Sequence, residues 1–199
     1  MKKLLLLFLF IFAFVLPVNA FNPLLVCTGA VASASCDTEK DTETGTESNT
    51  FIAFRYTTTD WVATKFTAGS TYTVCKIGMY MLRTETPASF NITACIYSDD
   101  GGVGDAADPD SLVGTCSDTV AESTIGTSTG EIAHTNVSAD LTSGTSYWVV
   151  VYSDAVDSDN YARVSLTNTG AVELFKKSGD GSSWTTEKNY NTLRYKLYE

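Results

Sequence analysis

Two kinds of residue cluster in this chain have the composition to do chemistry. The first is the loop Asp99-Asp100-Gly101-Gly102-Val103-Gly104-Asp105-Ala106-Ala107-Asp108-Pro109-Asp110. Calcium takes about six to eight oxygen ligands, and glycines let backbone carbonyls turn toward a cation. Asp99, Asp100, Asp105, Asp108 and Asp110 are therefore candidate metal ligands, with calcium the candidate cofactor, although their spacing is not the Asp-x-Asp-x-Asp-Gly pattern. Asp154 to Asn160 (DAVDSDN) is a second acidic loop. The second kind is aromatic. Trp61, Tyr161 and Trp184 fall at strand ends or beside Gly/Ser/Asp turns, where a ring can stack on a sugar face or plug the end of a sandwich.

Catalytic sets are missing from this inventory. The one histidine, His134, has no Gly-x-Ser-x-Gly nucleophile context, and Ser-His-Asp and Cys-His mechanisms both need an imidazole. A glycosidase needs only two carboxylates, but the acidic residues lie in polar loops rather than among rings that would raise a pKa. No Cys-x-x-Cys occurs, so zinc spacing is absent too. The residues point to a non-enzyme.

Loops need elements to hold them, and the elements read as strands. Phe51–Tyr56, Trp61–Phe66, Thr71–Arg83, Phe90–Ser98, Leu112–Val120, Glu131–Val137, Ser146–Ser153, Tyr161–Leu166, Val172–Lys176 and Tyr190–Tyr198 are rich in Val, Ile, Thr and Tyr and separated by Gly, Asp and Ser. In Phe90–Ser98, Phe90, Ile92, Ala94 and Ile96 share one face at period two. Tyr147–Tyr152 is apolar on both faces, as in a central strand covered twice. The expected fold is all-β, a jelly-roll-like antiparallel β-sandwich of about nine to ten strands.

Five cysteines leave one odd. If 90–98 and 112–120 form a hairpin, the numbers of facing residues should total about 210. Cys95 and Cys116 total 211, so they are expected to pair. Cys27 and Cys36 are close in sequence and form the second expected pair. Cys75 then reads as a buried thiol on one face with Ile77, Met79 and Met81.

The first twenty residues set the compartment. Lys2 and Lys3 precede an apolar run from Leu4 to Leu16, and Pro17-Val18-Asn19-Ala20 closes it with a small-residue cleavage pattern. This is a secretory leader, too short and wrongly flanked for a span. Without it the formal charge is −12, from 11 basic and 23 acidic residues. That balance argues against nucleic acid, whose phosphates demand cations. No later apolar run reaches spanning length. Residues 21–50 read as a Cys-bracketed segment and an acidic linker, since Asp37–Thr50 has no apolar side chain. Residues 51–199 read as the sandwich domain. Asn91-Ile92-Thr93 and Asn136-Val137-Ser138 match the N-glycosylation acceptor pattern.

Several phrases occur together in order: Ala63-Thr64-Lys65-Phe66-Thr67, Tyr72-Thr73-Val74, Asn91 to Gly102 (NITACIYSDDGG), Leu141 to Val150 (LTSGTSYWVV) and Asp180-Gly181-Ser182-Ser183-Trp184. Over residues 51–199 the chain resembles the choice-of-anchor β-sandwich domains of secreted and surface prokaryotic proteins. It departs from them in its long acidic loop at Gly104–Asp110 and in ending at Tyr198-Glu199 with no sorting tail. The resemblance implies a non-catalytic surface module.

The expected function is thus an extracellular recognition or adhesion module for a glycan or cell-surface polymer, with Trp61, Tyr161 and Trp184 as contact rings. The alternative is a self-associating structural subunit of a surface layer or filament. In that reading Phe21–Ser35, with Leu24-Leu25-Val26, adds a strand to a neighbour.

Overall fold

The structure, a computed structural model, describes residues 35–45, 47–54, 60–84, 90–155, 161–168, 175–186 and 191–199. The expected leader, Cys27 and residues 156–160 of the second acidic loop lie outside these. The described strands are β1 (Glu39–Glu43), β2 (Glu47–Ala53), β3 (Trp61–Thr67), β4 (Tyr72–Arg83), β5 (Asn91–Asp99), β6 (Pro109–Leu112), β7 (Val120–Ala121), β8 (Gly130–Leu141), β9 (Ser146–Ser153), β10 (Ala162–Asn168), β11 (Phe175–Ser178), β12 (Thr185–Thr186), β13 (Asn191–Leu193) and β14 (Tyr195–Tyr198).

They form two antiparallel sheets packed face to face, an all-β sandwich. In the first sheet β4 is the spine. β8 runs along one side of it, β14 and β10 follow each other along the other, β1 flanks β14, and β2 and β13 pair with β10. The second sheet runs β12-β11-β3-β9-β5-β6, with β7 also on β5. From β3 to β5, and again from β8 to β10, successive strands alternate between the sheets, so residues close in sequence seldom pair with each other.

Period-two alternation builds the core. Val62 and Phe66 of β3, Ile92, Ala94 and Ile96 of β5, and Val149 and Val151 of β9 meet Ile77, Met79 and Met81 of β4, Leu166 of β10 and Leu197 of β14 in one buried cluster. Each large side chain contributes about 1.5–3 kcal/mol by leaving water. The count of strands exceeds the expected nine to ten because the expected 112–120 and 190–198 strands each divide in two, and because β1 and β12 arise outside the expected strands.

β1 arises within the acidic stretch 37–50, and β2 begins there before running into the strand expected from Phe51. Burial does not drive β1, whose side chains belong to no apolar cluster. Backbone pairing to β14 and charge pairs hold it instead. Lys40 meets Glu199 at 2.7 Å, Lys196 meets Glu39 at 3.0 Å, and the Tyr72 hydroxyl donates to Asp41 at 2.8 Å. Thr38 and Glu199 exchange both of their backbone hydrogen bonds, at 3.2 and 2.9 Å, so the ends of the described fold lie side by side.

Of the two expected disulfides, Cys95–Cys116 is present and Cys27–Cys36 is not. Cys36 bonds Cys75, across a separation of 39 residues. The buried-thiol reading of Cys75 assumed unbroken alternation along β4. In fact Tyr72 and Val74 point inward, and then Ile77, Met79 and Met81 do, so the parity switches between them. The register with β8 slips between Val74 and Lys76, opposite Asn136, which adopts φ 62°. Cys75 sits at the switch and leaves the core row. Its face-mates in sequence are not its neighbours in space.

The expected 112–120 strand is also interrupted. Tyr97 faces Leu112 on β6 and Ile92 faces Val120 on β7, but between them the chain, while Val113 and Ser117 still donate to β5, reaches across to the first sheet, where Thr115 bridges Ser138 of β8. A second bond, Asp118 N–H to the Thr135 carbonyl at 2.9 Å, extends this seam. Gly114 makes the crossing feasible. A Cβ there would lie 1.7 Å from the Ser138 carbonyl oxygen, and φ is 70°.

Candidate functional site

The outer face of the second sheet, turned away from the main core, carries a second apolar cluster. Strand parity that sends Val62, Val149 and Ile96 inward sends Trp61 and Ala63, Trp148, Val150 and Tyr152, and Tyr97 outward. Register then sets them side by side: Trp61 against Tyr152, Ala63 against Val150, and Trp148 between Lys65 and Tyr97. Ala63, Ala107, Trp148 and Val150 are buried there, with Trp61, Tyr97 and Trp184 packed half-exposed against them. The twice-covered β9 expected from its sequence is what the structure has.

Two segments cover this face: the loop 100–108 and the turn 178–184. Two lysines fasten the loop, while Ser178 and Asp180 hold the turn through their own hydrogen bonds. Lys65 Nζ donates to Asp99 Oδ2 at 2.8 Å, while Asp99 Oδ1 accepts the Trp148 indole N–H at 2.8 Å. Lys176, only 2% exposed, reaches from β11 to the Asp108 carboxylate at 2.8 Å and the Asp105 carbonyl at 2.6 Å. Within the loop, Asp100 Oδ1 accepts the backbone N–H of Gly102 (2.8 Å) and of Asp108 (3.1 Å), which holds its carboxyl below the usual range. The Ser98 hydroxyl donates to Asp110 at 3.4 Å on the exposed side.

The five aspartates therefore do not converge as metal ligands. Asp99 and Asp108 neutralise ammonium groups, Asp100 caps its own loop, Asp105 contributes its carbonyl to a lysine, and Asp110 faces solvent. Among the described residues no three His, Cys, Asp or Glu side chains are placed to hold a metal ion. In the second acidic loop, Asp154 is engaged by the backbone N–H and side-chain amide of Asn91, each at 2.8 Å.

The three expected contact rings separate. Trp61 and Trp184 share the outer face. Trp61 stacks on Tyr152 with centroids 3.9 Å apart and planes 14° from parallel. The Gly181 backbone, at φ 72°, rests on the Trp61 ring so closely that a Cβ would come within 3.0 Å of it. Asp180 shapes this turn by accepting the N–H of Ser182 and Ser183, each at 2.8 Å, and those bonds keep it ionised well below the usual carboxylate range. Tyr161 belongs elsewhere and is corrected as a contact ring. It is 9% exposed beside β10 in the first sheet, with the Arg163 guanidinium 5.1 Å from its ring centroid and donating to its hydroxyl at 2.8 Å. A ring covered in this way has no face for a ligand.

Sequence reasoning missed Tyr97, Tyr152, Lys65 and Lys176. The apolar outer row of β9 was the available clue that something covers this sheet, and its strand neighbours were the residues to search. Tyr97 and Tyr152 remain half-exposed, and burial with the nearby Tyr152 raises the Tyr97 phenol. At the tip of the covering loop Val103 is 89% exposed. His134 is a packing residue. It is fully buried, its Nδ1 lies 3.4 Å from Ser117 Oγ, and burial lowers it to about 4. Ser117 Oγ is committed to backbone, accepting Ala94 N–H at 3.0 Å and donating to the Asp118 carbonyl at 2.8 Å.

What the outer face offers chemically is a rigid set of half-exposed rings carrying hydroxyl and indole groups, with charges already paired around it. No family model, curated protein or solved structure matches the chain.

Proposed function

We propose that this protein is a secreted, non-catalytic recognition or adhesion module that binds glycan through the outer face of its second sheet. One observation carries the reading: Trp61, Tyr97, Tyr152 and Trp184 gather half-exposed on one face whose covering loop 100–108 is locked by Lys65–Asp99 and Lys176–Asp108. Rings held in place beforehand lose little entropy on binding, and aromatic faces suit the C–H faces of sugars. Secretion is supported by the leader pattern and by two disulfides, which persist in oxidising compartments. Resemblance to choice-of-anchor modules agrees with this reading and rests on the quoted residues alone. A glycan array probed with the mature protein should give hits that Trp184→Ala or Tyr97→Ala weakens at least tenfold, with the fold intact by circular dichroism. An array without hits overturns the proposal.

The second reading, a structural subunit assembled by strand addition, is favoured by a different observation: β1 is an added strand, bound to β14 with no stake in the core. The segment first considered for that role, 21–35, lies almost wholly outside the described residues. Light scattering on the eluting protein tests this reading, and a strict monomer ends it.

A further inference from the structure

We propose that the β14 edge, together with Cys75, is an acceptor site for β1 of a second copy of this chain, so that copies exchange their first strand. The proposal goes beyond glycan binding and holds whether or not the aromatic face has a ligand. It gives the structural reading a mechanism.

Three observations carry it. First, β1 is separable. Its five residues contribute nothing to either apolar cluster, whereas the adjoining β2 packs Ile52 against the core and leads into the buried Phe54. Only residues 44–46 join β1 to β2. Second, the contacts that hold β1 to the sheet are made to residues far away in the chain. β1 pairs with β14, Glu39 meets Lys196, Lys40 meets Glu199, Asp41 binds the Tyr72 hydroxyl, and Cys36 bonds Cys75. A neighbour's β1 can make every one of these contacts with the same geometry, which is the condition under which strand exchange has little enthalpic cost. Third, the acceptor is marked. With β1 gone, β14 offers an unpaired backbone edge in Tyr195–Tyr198, bearing Lys196 for Glu39 and lying beside Cys75. Strand edges bind extended segments through their backbone groups and read them by side-chain charge.

Closing the bridge between copies takes two electrons and two protons from the Cys36 and Cys75 thiols. A disulfide such as oxidised glutathione accepts them and leaves as two thiols. The short tether favours the strand's own edge at low concentration, and high local concentration favours exchange.

The test uses full chains carrying Cys27→Ser, so that the odd thiol cannot cross-link. One variant adds Cys36→Ser and the other Cys75→Ser, each with a distinct tag. Neither can form the bridge alone. Refolded together with glutathione, they should give a disulfide-linked heterodimer, with Cys36 of one chain joined to Cys75 of the other by peptide mapping. Lys196→Glu in the acceptor should lower its yield several-fold, and Glu39→Lys in the donor should restore it. Near-UV circular dichroism confirms that each variant folds. Monomers alone overturn the proposal, as does a heterodimer whose yield ignores both charge reversals, since that is collision without strand pairing. Oligomers seen by light scattering without this adduct would leave the structural reading standing and strand exchange refuted.

Discussion

His134 lies in the core with its Nε2 unpartnered among the described residues, between Ile77 of β4 and the crossing segment at Ser117. Burial keeps it neutral and lowers its pKa from 6.5 to about 4. Since the unfolded chain takes up a proton below pH 6.5 and the folded chain does not, the associated stability is fully present above 6.5. It is lost as pH falls from there toward 4, to a total of about 3 kcal/mol. Urea unfolding at pH 7 and 4.5 should show this loss, and His134→Gln should flatten the acid slope. An unchanged slope would mean that the imidazole is protonated in the fold. Nothing in Glu131-Ile132-Ala133-His134 announced this burial beyond alternation with Ile132. The ring's depth follows from β8 lying under the crossing segment, a long-range fact.

At the scale of elements, the loop 100–108 and the β11–β12 turn act together through Lys176. Removing its ammonium leaves the Asp105 carbonyl without that donor and Asp108 without its cation. Lys176→Met should therefore lower stability by about 1–3 kcal/mol in urea titration, with loosened hydrogen-exchange protection confined to these two segments. Millimolar calcium should leave the melting temperature of the unaltered protein where it is, and a rise would show a cation site in this loop. These elements were only partly legible. Ile92, Ala94 and Ile96, the twice-apolar β9 and the Cys95–Cys116 register could be read because packing marks a strand's sequence, with alternation where one face is apolar and a continuous apolar run where both are. β1 could not, because charge pairs and a neighbour's backbone make it a strand, and neither leaves an apolar pattern. Cys75 was misplaced because a register slip cannot be seen in the composition of the strand it interrupts. Lys176 carries no local signal of its role, because Asp105 and Asp108, which surround its ammonium, are distant in sequence.

Over the described residues the two faces of the sandwich differ in chemistry. The first sheet holds both ends of the described chain, its outer side laced with charge pairs such as Lys196 with Glu39 and Glu131. The second sheet holds the aromatic patch. The patch and the chain ends are thus on opposite sides, a division that the order of strands imposes. The pairing of Thr38 with Glu199 then bears on how the fold meets mechanical force. Pulled by its two ends, the molecule is loaded as a zipper rather than as a lap joint, since both ends leave from the same corner. With the Cys36–Cys75 bond closed, tension entering at the amino end skips β1 and arrives on β4, so β14 must be stripped from the spine before anything yields. With the bond reduced, β1 peels away rung by rung first. Single-molecule stretching should register that early, low-force lengthening only in the presence of a reductant.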